Sequence, residues 1–168
     1  MIQNAYVGLG SNLGDRAAYL LLAVRGMLDA GLDVIRLSSV YETEPVEYEN
    51  QPAFLNMVAE LRGSTLPSPE QLMARLLRIE YALGRTREVR LGPRTIDLDL
   101  LIFKDHQVDT EFLKVPHPRI ASRRYGDAWG YCLTVTHQRE DVSAGADAPA
   151  FLLPANLAGF EKGSRTWQ

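Results

Sequence analysis

The sequence predicts an α+β fold, an antiparallel sheet with two helices on one face and the other face left free to carry a site. Three observations carry the prediction. Four short segments are rich in strand formers, two segments show apolar residues at helical spacing, and they alternate in the order β-α-β-β-α-β. That order is the ferredoxin-like split unit. With 168 residues the chain allows one domain, 1–168, and not two full ones.

Residues 2–9 read as the first strand, ending at Gly8-Leu-Gly10. Asp15 sits where a helix N-cap belongs, ahead of Leu20, Leu21, Val24, Met27 and Leu28 at helical spacing, and Gly31 is a natural stop. Residues 34–43 hold β-branched side chains and read as the second strand. Residues 44–52, with two prolines and three Glu before the second of them, read as an exposed loop. Residues 54–61 read as the third strand. Ser68 followed by Pro69 opens a second helix through Leu72, Leu76, Leu77, Ile79 and Leu83, closed by Gly84. Residues 86–94 are Arg-rich and interrupted by proline, hence a loop. Residues 95–103 are the clearest strand in the chain. Beyond Arg124 the sequence assigns no firm element, and 126–168 is expected to form a divergent C-terminal extension.

Composition excludes several classes. A hydrophobic fraction of 46% and a charged fraction of 23% are globular values, against disorder or a collagen-like chain. The single cysteine, Cys132, cannot bridge internally, so a reducing, cytoplasmic location is expected. The longest apolar run, 17–24, is too short to span a bilayer, and the N-terminus shows no signal-peptide pattern. Net charge is −3, which argues against a general nucleic-acid binder. The average hides an asymmetry, since fifteen of the eighteen cations are Arg. Arg is the side chain for planar, bidentate grip on phosphate or carboxylate. Six Arg fall within 75–94, whereas 41–60 holds five Glu and no cation.

The sharpest motif is Arg90-Leu-Gly-Pro-Arg94-Thr-Ile-Asp97-Leu-Asp99. Asp97 and Asp99 are i, i+2 on a strand, so both side chains leave one face, and Ile96, Leu98, Leu100 and Ile102 are expected to bury the other. Two neighbouring carboxylates repel unless a cation joins them, and Mg²⁺ is held in this way together with phosphate oxygens. The bland alternative is that the carboxylates cap the strand edge or pair with nearby Arg. Gly8-Leu-Gly10-Ser-Asn-Leu-Gly14-Asp15 lacks both dinucleotide and P-loop spacing, and reads better as a tight strand-to-helix turn than as a phosphate cradle. Phe54 and Asn56, again i, i+2, could stack on and read a heterocycle, or could be a core ring beside a satisfied amide. His117 is framed by prolines; without Cys or His nearby it makes no zinc site. It is either a ligand hydrogen bond or a turn residue.

Together these segments resemble the 6-hydroxymethyl-7,8-dihydropterin pyrophosphokinase family over roughly residues 4–125. The resemblance rests on Gly8-Leu-Gly-Ser-Asn-Leu-Gly14, Tyr41-Glu-Thr-Glu-Pro-Val46, Gln51-Pro-Ala-Phe-Leu-Asn56, Gly92-Pro-Arg-Thr-Ile-Asp-Leu-Asp99 and Val115-Pro-His117. It implies a ferredoxin-like core and transfer of a pyrophosphoryl group from ATP to the pterin hydroxymethyl, releasing AMP, in folate biosynthesis. By the same resemblance Asp97 and Asp99 look like ligands of two Mg²⁺ ions, and Arg85, Arg90 and Arg94 like the phosphate-handling residues. Thr43, Pro45, Val46, Phe54, Asn56 and Tyr125 match the pterin pocket. Glu80, Arg85, Arg94, His117 and Arg123 match the ATP side. Leu91 departs from the pattern where the family often has an aromatic, and Gly126-Asp-Ala-Trp-Gly130 interrupts the run that follows Tyr125. The expected partners are the small molecules ATP and dihydropterin, with no nucleic acid and no membrane, for a monomer or weak homodimer. The alternatives are a divergent paralogue that binds pterin or nucleotide with low or altered activity, and an RNA-binding protein on the same scaffold. The intact Asp97/Asp99 pair favours the enzyme, and the acidic net charge counts against RNA.

Overall fold

A computed structural model describes residues 3–45, 50–86, 91–104 and 106–121 of the chain. The strands of the main sheet are β1 (Gln3–Ser11), β2 (Val34–Leu37), β3 (Tyr41–Thr43), β4 (Phe54–Gly63) and β5 (Asp97–Phe103). The sheet is antiparallel throughout, in the order β2-β4-β1-β5, with β3 also paired to β4. Helix α1 (Arg16–Asp29) follows β1, and α2 (Pro69–Ala82) follows β4. A two-stranded ribbon, β6 (Val108–Asp109) with β7 (Lys114–Val115), and a 3₁₀ turn (Pro118–Ala121) come after β5.

The helices begin where the sequence says they should. Asp15 accepts the Ala18 N–H at 3.1 Å. Ser68 and Gln71 form a reciprocal capping box with Pro69 in the first turn. Each helix stops before a glycine at φ 73°, Gly31 and Gly84, a conformation that penalises any Cβ. Alternation then sorts the strands. Ala5, Val7 and Leu9 of β1, Met57, Ala59 and Leu61 of β4, and Leu98 and Leu100 of β5 share one core with Leu20, Ala23 and Met27 of α1 and Leu72, Leu76 and Ile79 of α2. Both helices therefore pack on the same sheet face. Burial of each such Leu contributes about 1.5–3 kcal/mol. Gly26 in mid-α1 lowers helix propensity, but a Cβ there would stand 2.9 Å from Ile79 Cγ2, so the close helix contact requires it.

Four sequence expectations change. The first strand runs on through Gly8 and Gly10 to Ser11, so these glycines lie in the sheet; the turn is 12–15, with Gly14 at φ 68°. The segment 34–43 is two strands, because the Ser38 hydroxyl takes the Val58 N–H at 2.8 Å and donates to Ser39 O, interrupting the ladder. The last strand starts at Asp97, two residues later than expected. Finally, Ile102 leaves the face of Leu98 and Leu100. The β1–β5 register passes from Tyr6↔Ile102 to Val7↔Leu100, so one extra residue bulges in β5. Leu101 and Ile102 consequently join Tyr6, Val58 and Ile120 in a second apolar cluster. Among the described residues no helix is long and apolar enough to cross a membrane.

Candidate active site

Phe54, Asn56, Asp97 and Asp99 leave the sheet on the face away from the helices and strand register brings them together, while α2 lines the cleft beside β5. Gly10 pairs with Asp97 on one side and Asn56 on the other, and Gly8 pairs with Asp99. A Cβ on Gly10 would lie 3.1 Å from Asn56 Oδ1 and 3.8 Å from the Phe54 ring, so a bare backbone strip separates the carboxylates of β5 from the polar end of β4. On that β4 side Asn56, 8% exposed, donates from Nδ2 to Thr43 Oγ1 at 2.7 Å.

On the β5 side Asp97 is held by two guanidinium groups. Arg85 Nη1 lies 2.6 Å from Oδ1, while Arg94 Nε and Nη2 lie 2.9 and 2.8 Å from Oδ2. Arg85 also pairs with Glu80 of α2, whose Oε1 accepts the Leu98 N–H at 2.7 Å. Pairing of Asp97 with nearby Arg, the bland alternative, is thus present. The Arg94 guanidinium sits 4.8 Å over the Phe54 ring, which ties the phosphate-compatible end to the aromatic end through a cation–π contact. Thr95 Oγ1 donates to Leu83 O at 3.2 Å and fastens this segment to the end of α2.

Burial sets the electrostatics. Asp99 is pushed up to about 8 by burial first and the Asp97 carboxylate second. Glu80 is also raised, by burial, against the lowering pull of Arg85. Burial would lower the Arg85 pKa, but the Asp97 and Glu80 carboxylates outweigh it and leave it above the ordinary value. His117 is pulled down to about 4 by burial and then by the Arg119 charge, so its ring is neutral at pH 7. Its Nδ1 accepts the Arg119 N–H at 3.2 Å, which assigns the proton to Nε2, 3.9 Å from Asp99 Oδ1. A hydrogen bond from His117 N to Leu101 O at 2.8 Å holds this segment against β5.

Glu80, Arg85, Arg94, Asp97, Asp99 and His117 all line one cleft of about 740 Å³. Phe54, Asn56 and Thr43 lie beyond Arg94 on the neighbouring strands; Pro45 follows Thr43 at the end of the described segment. Val46, Arg90, Arg123 and Tyr125 lie outside the described residues. Sequence reading passed over Asn12 and Gln51, although both stand inside quoted motifs, and over Phe112, Lys114 and Arg119, which also line the cleft. The only signal for the last three was proximity to Val115-Pro-His117.

Among the described residues no group of three or more His, Cys, Asp or Glu is placed to hold a metal. What the chain offers is a carboxylate pair in which burial and the Asp97 carboxylate hold the Asp99 carboxyl well above the usual range. Such a pair fits Mg²⁺, which takes one or two carboxylates and completes its shell with phosphate and water.

Paired carboxylates and guanidinium groups beside a cleft lined by α2 and β5 give this α+β protein a site suited to phosphate chemistry. Residues 6–127 match the family model described as 7,8-dihydro-6-hydroxymethylpterin-pyrophosphokinase (HPPK), and the chain belongs to that family. A 2-amino-4-hydroxy-6-hydroxymethyldihydropteridine pyrophosphokinase of Bacillus subtilis is 50% identical over 122 residues, 72% of each chain. The protein of the same name from Aquifex aeolicus is 41% identical over 120 residues, 71% of this chain and 73% of that one. A mitochondrial folate synthesis bifunctional protein of Pisum sativum is 41% identical over 123 residues, 73% of this chain but 24% of its own length.

Proposed function

We propose that the chain transfers a pyrophosphoryl group from ATP to 6-hydroxymethyl-7,8-dihydropterin, giving the pterin diphosphate and AMP, in folate biosynthesis. The observation that carries the reading is the Asp97/Asp99 pair flanked by Arg85 and Arg94 in a chain of this family. The strand order supports reading the core as the ferredoxin-like split unit, with 1–168 as one domain and 126–168 as its extension. The hydroxymethyl oxygen forms a bond to the β-phosphorus as the bond to the α-phosphate oxygen breaks; AMP leaves and the hydroxyl proton is released. Catalysis of this kind is mostly positioning and charge neutralisation. Asp97 and Asp99 would hold Mg²⁺, two ions in this reading, which when bound offsets triphosphate charge. Arg85 and Arg94 exchange part of their grip on Asp97 for phosphate oxygens, with Arg90 and Arg123 joining them. Glu80, its carboxylate committed to Arg85 and the Leu98 N–H, orients Arg85. Neutral His117 donates from Nε2 on the ATP side. Asn56 reads the pterin edge beside Thr43, Pro45 and Val46, and Phe54 stacks on the ring with Tyr125.

Incubation with ATP, Mg²⁺ and the hydroxymethyl dihydropterin should yield AMP and pterin diphosphate in equal amounts. ADP in place of AMP, or pterin binding without turnover, would overturn the reading. Asn56→Ala should weaken pterin binding about tenfold or more, as expected for a lost buried hydrogen-bond partner, with nucleotide affinity little changed. Calorimetric titration of each ligand checks this, and equal losses for both would refute the placement of Asn56.

A further inference from the structure

The turn between β1 and α1 joins both sides of the site. Asn12 is 2% exposed. Its Oδ1 accepts the Arg94 N–H at 2.8 Å, and its own backbone N–H donates to Arg94 O at 3.2 Å. Its Nδ2 donates to Gln51 Oε1 and to Pro52 O, each at 3.0 Å. Gln51 Nε2 in turn donates to Leu91 O at 3.1 Å. Leu91 adopts φ 62°, a left-handed conformation that costs a non-glycine residue about 1–2 kcal/mol and so needs fixing from outside. Arg16, at the start of α1, donates to Ala53 O at 2.8 Å and pairs with Glu42 at 2.7 Å. The chain entering Phe54 and the chain entering Asp97 are both fastened to this turn. Neither Asn12 nor Gln51 lines the cleft.

We propose that Asn12, relayed through Gln51, is a positioning residue that holds the Phe54–Asn56 wall and the Arg94–Asp97–Asp99 wall at a fixed separation. The inference rests on the pterin and phosphate sides assigned above. In-line transfer is sensitive to that separation, because a displacement of about 1 Å from the near-attack geometry can cost about 10²-fold in rate. The carboxamide is needed as such. In the isosteric Asn12→Asp, an acceptor replaces Nδ2 and faces two acceptors, Gln51 Oε1 and Pro52 O. A flip of the Gln51 amide would restore one bond but set its oxygen against Leu91 O. Gln51→Glu breaks the relay from its other end, at a half-buried position.

The test measures single-turnover AMP formation in Asn12→Asp and Gln51→Glu, together with the affinity of each variant for a non-hydrolysable ATP analogue alone and for the dihydropterin alone. The transfer step should fall about 10²-fold in Asn12→Asp and about tenfold in Gln51→Glu. Each separate affinity should stay within about threefold of the parent, because Asn12 and Gln51 are neither among the residues lining the cleft nor among those assigned above to the pterin side. A rate loss matched by lost affinity for one ligand would overturn the inference, as would unchanged rates in both variants. Should Asn12→Asp not fold, Gln51→Glu decides alone. A parent protein that makes no AMP would overturn the reaction assignment instead, so the two failures are distinguishable.

Discussion

Asp99→Asn is expected to remove turnover and, in metal-free solution, to make the protein more stable at pH 8. The folded-state pKa near 8 lies far above the ordinary 3.8, because burial and the neighbouring Asp97 disfavour the charged form. Below the ordinary value the group is neutral whether the chain is folded or not. As pH rises from there to about 8 the unfolded chain ionises and the folded one resists, so stability is lost across that window. Asparagine does not titrate and escapes the loss. Its advantage should therefore be absent near pH 3 and reach a few kcal/mol by pH 8. Urea unfolding in EDTA at several pH values measures it. The rate should fall about 10³-fold or more, since a bound metal contributes several kcal/mol of transition-state stabilisation. A stability gap that does not widen with pH would refute the electrostatic account, and unaltered turnover would refute the metal-ligand role.

Arg85→Met is expected to damage both fold and activity. The Arg85 side chain is 13% exposed and its guanidinium stands between Glu80 and Asp97, themselves 4% and 12% exposed at the side chain. Methionine fills much of the volume but leaves the buried Glu80 carboxylate without its Arg85 partner and Asp97 with Arg94 alone. Removing one partner from a buried ion pair typically costs about 3–5 kcal/mol, and loss of a charge aimed at the transferred group costs a further 10²–10³ in rate. Arg85→Lys should recover part of the stability, because the charge returns, and less of the rate, because a point charge cannot span both carboxylates. Denaturant unfolding alongside AMP formation separates the two effects. Unchanged stability in the methionine variant would mean that the triad contributes nothing net to folding.

What the sequence disclosed depended on whether the signal was local. Asp15, Ser68 with Pro69, and the glycines at 31 and 84 bounded both helices correctly, because caps and stops act within a few residues. The shared face of Asp97 and Asp99 followed from a period of two. The extra residue in β5 was illegible, since Leu100, Leu101, Ile102 and Phe103 are all apolar and periodicity has nothing to slip against. Gly8 and Gly10 were misplaced for a related reason: glycine signals a turn locally, whereas here its value lies in what the neighbouring strands bring beside it. The Asn12–Gln51–Leu91 relay joins residues 39 and 40 positions apart, beyond any spacing rule. The motifs nevertheless contained all three of its members.

The hydrogen bond from the Leu98 N–H to Glu80 has a consequence outside catalysis. β5 ends the described strand order, and an outermost strand offers unpaired N–H and C=O groups to any other chain. Here Glu80 accepts the Leu98 N–H, and the His117 N–H donates to the Leu101 carbonyl. Two residues proposed for the nucleotide side thus occupy the positions at which a foreign strand would dock. Among the described residues, the groups that cover the outer edge of β5 are thus shared with the candidate site, so a change that loosens one bares hydrogen-bonding groups at the other.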